Sequence, residues 1–194
     1  MILGLTGGSG TGKSSACDFF RKKGFLILDL DKVSRKVCLK GEKCLDEIVG
    51  YFGTDILDEN GELIRRKLGD IVFSDRKKLE ILNKITHKYL IEETRKFISE
   101  NAGRNIVLDA PLLFEAGAQA MCTHTLCILS KNENRLKRII QRDGISAESA
   151  QNRIASQPDD EFYLSRCDFA VHNDSDIDTL YALLEKNFGG DYVS

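Results

Sequence analysis

The chain has 194 residues, 42% of them apolar and 30% charged, enough to bury roughly 70% of its unfolded surface in one domain without cross-links. Its 28 Lys and Arg against 30 Asp and Glu leave a formal net charge of -2, so there is no polybasic field for nucleic acid or an anionic membrane, and neither partner is expected. Two prolines, 16 glycines and no repeat or low-complexity run exclude a collagen-like or disordered chain.

The six cysteines (Cys17, Cys38, Cys44, Cys122, Cys127, Cys167) form no CxxC pair, and a domain of this size does not depend on disulfides, which fits a reducing compartment. Cys122, His124 and Cys127 have the spacing of no usual zinc ligand set. Met1 is followed directly by a structured-looking segment, with no leader pattern and no apolar run near eighteen residues. A soluble, cytoplasmic protein is expected.

In chain order, residues 2 to 6 (ILGLT) form an apolar run that stops at a glycine-rich loop, and Cys17, Phe19 and Phe20 then supply the apolar positions of a helix. Further short runs follow at Phe25 to Leu28, ending at Asp29; at Ile106 to Leu108, ending at Asp109 before Pro111; at Thr125 to Leu129; and at Phe169 to Val171. Short buried strands separated by helical stretches predict an α/β fold with a parallel sheet covered on both faces. Between the second and third runs lie roughly 75 residues with no convincing strand, far beyond the dozen or so a crossover needs. The main part of what is built there reads as a helix from Asp75, as N-cap, to about Glu100. Leu79, Leu82, Ile85, Tyr89, Phe97 and Ile98 recur along it at mostly three- and four-residue steps. Core packing is the ordinary use of such a stripe, yet a lobe inserted after the carboxyl end of a strand belongs where open α/β sheets bind ligands.

Gly7-Gly8-Ser9-Gly10-Thr11-Gly12-Lys13-Ser14 satisfies the GxxxxGK[ST] phosphate-loop pattern, with the strand before and the helix after that it requires. Glycines let the backbone approach an anion so that successive N–H groups converge on it. The helix start adds unpaired N–H groups and the positive end of its dipole. Lys13 would meet the β- and γ-phosphates, Ser14 would ligate Mg²⁺, and Ser15 would help hold the α-phosphate.

Such a loop implies a nucleoside triphosphate but not its fate. Asp58-Glu59-Asn60-Gly61 matches DxxG, but without a preceding strand it reads as a turn. Asn83-Lys84-Ile85-Thr86 lacks the carboxylate that reads guanine. A GTPase is therefore disfavoured against a transferase, which needs a base for the acceptor hydroxyl. Asp29 and Asp31 fall at the end of the second strand, where alternation would point them the same way. Asp31 is the better base, with Arg35 four residues on to bind an acceptor anion. Lys131, Arg135, Arg138 and Arg142 make a basic stripe beside apolar Leu136, Ile139 and Ile140. Such stripes are usually solvated, but an arginine on a closing lid would stabilise charge in phosphoryl transfer. Asp109 has three possible uses: holding Mg²⁺ through water, pairing with Lys13, or capping the Pro111 turn.

These segments together resemble the dephospho-CoA kinase family, and the resemblance runs over nearly the whole chain. LTGGSGTGKS resembles the family's LTGGxGxGKS, and LDLDKVSR its DxD with an arginine four residues on. FGTDILDENGELIRRKLGDIVF is similar to its FG…DG…R..L…VF segment, VLDAPLLFEAG to its DxPLLFE, and CDFAVHND to its AD…N ending. The resemblance implies Asp31 as catalytic base, Arg35 and Arg65 on the substrate side, and Asp109, Pro111 and Leu112 in the DxPLLFE turn. It places Arg138, Arg142, Arg153 and Gln157 at the spacings of a lid and Asn173 near the adenine. His87 is followed by Lys88 where the family commonly has proline, and Cys167 stands where it has alanine.

What the resemblance implies is a P-loop, nucleoside-monophosphate-kinase-like three-layer fold of one domain over residues 1 to 194. It would have a five-stranded parallel sheet, a helical CoA-side lobe over about 60 to 100 and a lid near 132 to 157. The implied reaction transfers phosphate from Mg·ATP to the ribose 3'-hydroxyl of dephospho-CoA, in a monomer or weak homo-oligomer. A kinase for a nucleoside monophosphate or another small alcohol would carry the same loop, base and lid. A nucleotide-dependent switch would need no acceptor-side base.

Overall fold

In the computed structural model, which describes residues 1–190, the five apolar runs become β1 (Ile2–Thr6), β2 (Leu26–Asp29), β3 (Ile106–Asp109), β4 (His124–Leu129) and β5 (Phe169–His172). They form one sheet of order β2-β3-β1-β4-β5, parallel where β1 meets β3 and β4 and where β4 meets β5. The central strand is β1, whose Leu3 and Leu5 are wholly buried. Strand order reverses around it, so the loop that follows β1 opens at the carboxyl edge of the sheet at a topological switch point. The expected α/β phosphate-loop architecture is the one observed.

Two compact units make up the chain. One comprises Met1–Leu28, Gly103–Phe114 and the residues from Ala118 on. In it α1 (Lys13–Lys22) and α9 (Ile177–Phe188) cover the sheet. Phe19 and Phe20 from the first, and Leu180, Leu184 and Phe188 from the second, pack with Leu5, Val107, Leu126, Ile128 and Val171. The Phe20 ring meets the rings of Phe25 and Phe188 at 5.2 and 5.5 Å. Here too lie α6 (Asn132–Asp143), α7 (Ala147–Ala155) and α8 (Asp160–Leu164).

The other unit is Asp29–Ala102 with Glu115–Gly117. It contains α2 (Leu30–Lys36), α3 (Lys43–Phe52), α4 (Arg65–Phe73) and the 25-residue α5 (Arg76–Glu100). Asp75 caps α5 as predicted, its carboxylate accepting from the N–H groups of Lys77 and Lys78 at 3.0 and 3.3 Å. The stripe of Leu79, Leu82, Ile85 and Tyr89 packs against Val37, Cys38, Cys44, Ile48, Ile56, Leu68 and Val72. Cys38 Sγ and Cys44 Sγ sit 3.7 Å apart within that core. Asp58 accepts from the N–H groups of Asn60 and Glu62 in a turn closed by a bridge between Leu57 and Leu63. The DxxG look-alike is thus a turn.

Candidate active site

Between β1 and α1 the backbone follows a path that only glycine takes without strain: φ is 136° at Gly7, 77° at Gly10 and 104° at Gly12. Space imposes the same choice. A Cβ on Gly7 would lie 2.3 Å from the Ile128 carbonyl oxygen, and one on Gly12 would lie 2.1 Å from Asn173 Nδ2. Gly12 is the N-cap of α1 and offers no side chain to cap it, which leaves the first-turn N–H groups for a ligand. Lys13 and the exposed Ser14 open that helix, with Ser15 half-buried behind them.

A loop whose amides converge on an anion must turn carbonyls outward, and those carbonyls need donors of their own. Each is met. Gly8 O accepts from Thr11 Oγ1 at 2.9 Å. Ser9 O accepts from Arg135 Nε at 3.0 Å, Gly10 O from Arg138 Nη1 at 3.3 Å, and Thr11 O from Asn173 Nδ2 at 2.8 Å. The two arginines sit three residues apart on α6, which places both on the face toward the loop. Asn173, 6% exposed, follows β5, and its own carbonyl accepts from Arg138 Nη2 at 3.0 Å and Ser130 Oγ at 2.8 Å.

At the end of β3, level with Leu5 in the β1 register, stands Asp109. Lys13 Nζ lies 3.9 Å from its Oδ1. That oxygen is buried and accepts no hydrogen bond, an arrangement that suits a carboxylate awaiting a metal-bound water or a cation. With the exposed hydroxyl of Ser14, the hard oxygen donors fit Mg²⁺. Burial, and then the charge of Asp109, push the Cys17 thiol up to about 12; it is a packed thiol, not a nucleophile. After Asp109 the chain turns through Pro111, whose carbonyl accepts from Thr6 Oγ1 at 3.3 Å, to an exposed Leu112.

In the helical unit, Asp29 is the N-cap of α2, accepting from the Lys32 N–H at 3.0 Å. The strand therefore ends at Asp29, and the expected alternation does not carry on to Asp31. Asp31 lies instead in the first turn of α2, exposed, one helical turn before the exposed Arg35. Arg65 opens α4, and its Nη2 donates to the Arg35 carbonyl at 3.3 Å. His87 is half-buried on α5, rather than a free surface residue, and burial lowers its pKa against the opposing field of Glu115.

The basic stripe divides by environment. Lys131 is the N-cap of α6, Arg135 is 5% exposed, and Arg138 braces the loop. Arg142, exposed at the end of α6, holds Asp143 through bonds of 2.7 and 2.9 Å. Arg142 and Arg153 together keep that carboxyl below the usual carboxylate range.

Comparison with known proteins bears on the same segments. The family model described as CoaE: Dephospho-CoA kinase matches residues 1–179. The chain belongs to the dephospho-CoA kinase family. A dephospho-CoA kinase from Fusobacterium nucleatum is 38% identical over 186 residues, covering 96% of both chains. The structure of TT1252 from Thermus thermophilus superposes with a TM-score of 0.81 at 28% identity, covering 97% of this chain and 96% of that one. A dephospho-CoA kinase structure from Campylobacter jejuni gives 0.68 at 27% identity, with 97% and 95% covered. The family match takes in the phosphate loop, the Asp31 and Arg35 helix, the Asp109 turn and the α6 and α7 segment alike.

Two parts of this kinase's site carry weak sequence signals. Ser130 is a buried polar residue just past a strand, and only the fold reveals it as a junction joining Arg138 and Asn173. Arg135 was legible as one cation of a stripe, but not as a buried one.

Proposed function

We propose that the chain transfers the γ-phosphoryl group of ATP to the ribose 3'-hydroxyl of dephospho-CoA, giving CoA and ADP. The observation that carries this reading is a phosphate loop whose Ser9, Gly10 and Thr11 carbonyls are braced from outside and whose following helix has an uncapped first turn, within a chain whose family match spans residues 1–179. Amides between Gly7 and Ser15, apart from the Ser9 N–H that Gln157 takes and the Thr11 N–H that Gly8 O takes, and the Lys13 ammonium cradle the α-, β- and γ-phosphates. The Ser14 hydroxyl and, through water, Asp109 would hold Mg²⁺, which would supply neutralisation of phosphate charge. Asp31 accepts the proton of the acceptor hydroxyl, a role worth on the order of 10² to 10⁴ in rate. Arg35, Arg65 and His87 bind the anionic acceptor, with Pro111 and Leu112 shaping its site. Arg138 acts on the phosphates through the loop it braces, and Arg142 supports the end of the same helix. Asn173 holds the loop and borders the adenine.

The net charge of -2 supports an enzyme that works without nucleic acid or membrane partners. No described helix is long and apolar enough to cross a membrane. We read it as a cytoplasmic monomer or weak homo-oligomer.

Incubation with ATP, Mg²⁺ and dephospho-CoA should release ADP in step with CoA, identified by mass. Faster ADP release with a nucleoside monophosphate would favour a different small-molecule kinase. ADP formed equally well without acceptor would favour a switch.

A further inference from the structure

Arg135 is a buried cation that makes no ion pair with a carboxylate among the described residues, although the charge of Asp160 is near enough to act on it. It is 5% exposed, and its hydrogen-bond partners among the described residues are all neutral. Nε donates to Ser9 O at 3.0 Å, Nη2 to Gln157 Oε1 at 2.8 Å, and Nη1 to Asn132 Oδ1 at 3.3 Å. Gln157, which follows α7, completes the arrangement. Its Oε1 also accepts from the Ser9 N–H at 2.8 Å, and its Nε2 donates to Ser9 Oγ at 3.2 Å. The amide, hydroxyl and carbonyl of one loop residue are thus all engaged by two side chains more than 120 positions away. Gly8 is held to glycine by the same pair, since a Cβ there would meet Arg135 Nη2 at 2.4 Å and Gln157 Oε1 at 3.0 Å. Burial disfavours the charged guanidinium more than the field of nearby Asp160 supports it, so keeping it here is costly. Its placement against a loop built for a polyanion gives that charge a use, because a bound phosphate chain would offset it.

We propose that Arg135 and Gln157 are positioning residues of the nucleotide site, clamping the Ser9 peptide unit so that the loop is ordered before the phosphates arrive. The inference rests on the donor half of the proposed function, not on the identity of the acceptor. Four glycines lie between Gly7 and Gly12, and ordering such a segment consumes binding free energy unless the protein has already done it. Ser9 occupies the position that the family's LTGGxGxGKS pattern leaves open, so its hydroxyl bond to Gln157 belongs to this chain's version of the clamp.

The test is calorimetric titration of the whole protein with ADP and with inorganic pyrophosphate, without acceptor, for wild type, Arg135→Met, Gln157→Met and the double variant. Each single variant should weaken both ligands by about tenfold, as expected for a lost charge-assisted hydrogen bond. The double variant should be no weaker than about twofold beyond the worse single one, because either change opens the same clamp. In steady state, KM for ATP should rise while KM for dephospho-CoA stays within twofold, a split that general loosening of the fold would not produce. Gln157 is only half-buried, so its variant remains informative if Arg135→Met does not fold.

Wild-type ADP affinity in both single variants, or factors that multiply in the double variant, would overturn the clamp. A wild-type protein that binds ADP but leaves dephospho-CoA unphosphorylated would remove the acceptor assignment and leave the clamp standing. A wild-type protein that binds neither ADP nor pyrophosphate would remove both.

Discussion

In the unit that carries the phosphate loop, the carbonyls of Ser9, Gly10 and Thr11 are each met by a side chain from α6 or from the segment after β5. In the helical unit, Asp31 and Arg35 lie exposed on a seven-residue helix. Arg65 reaches that helix through a main-chain atom, its Nη2 donating to the Arg35 carbonyl. The loop is braced by polar groups, whereas the helical unit, the proposed acceptor side, is a set of helices held by an apolar core with its candidate residues on the outside. A triphosphate is the same in every turnover and repays a rigid cradle, since phosphoryl transfer depends chiefly on positioning and electrostatics.

That contrast can be broken most sharply at Asp31. Asp31→Asn should lower kcat on the order of 10² to 10⁴-fold while ADP affinity, measured by calorimetry, stays within about twofold. Near-normal turnover would take the base role away from this residue. Lys13→Ala should cost about 10² to 10³ in kcat and weaken ADP as well, which distinguishes a cradle residue from an acceptor-side one; unchanged ADP affinity would contradict its place in the cradle.

Smaller effects should sharpen the comparison. Gly12→Ala would force alanine to φ 104° and a Cβ against Asn173 Nδ2. Thermal unfolding without nucleotide should show a loss of about 1 to 3 kcal/mol. Adding Asn173→Ala should recover only part of it, because the backbone strain remains. The smallest effect belongs to the acceptor side. His87 has a folded-state pKa held below its ordinary 6.5 by burial, so the folded state binds fewer protons than the unfolded one. Its contribution is complete above that value and is lost as pH falls through 6.5 toward the folded pKa. Urea midpoints between pH 7.5 and 5 should therefore fall less for His87→Gln than for wild type; identical slopes would place His87 in water.

How far the sequence could be read varied with the range of the forces involved. The strands, the Asp75 cap and the Asp58 turn depend on neighbours within a few residues, and periodicity and capping chemistry placed them to within a residue or two. The alternation drawn through Asp29 and Asp31 failed for a local reason as well: a carboxylate able to cap a helix ended the strand two residues early. The helices α3, α4, α7 and α9 went unread because each spans only 9 to 12 residues, too few for a stripe to repeat, and their packing partners are distant. In the basic stripe, spacing showed that Arg135 and Arg138 share a face, but the same spacing serves a solvated helix and a buried one.

From the sequence alone came the family, the phosphate loop and the chemistry that its residue types permit, since strand, glycine turn and helix start are written in consecutive residues. Tertiary structure decided what stands behind that loop. Arg135, Arg138 and Asn173 lie 100 or more positions beyond it, and only the parallel crossovers that set β4 beside β1 and β5 beside β4 bring their donors to its carbonyls.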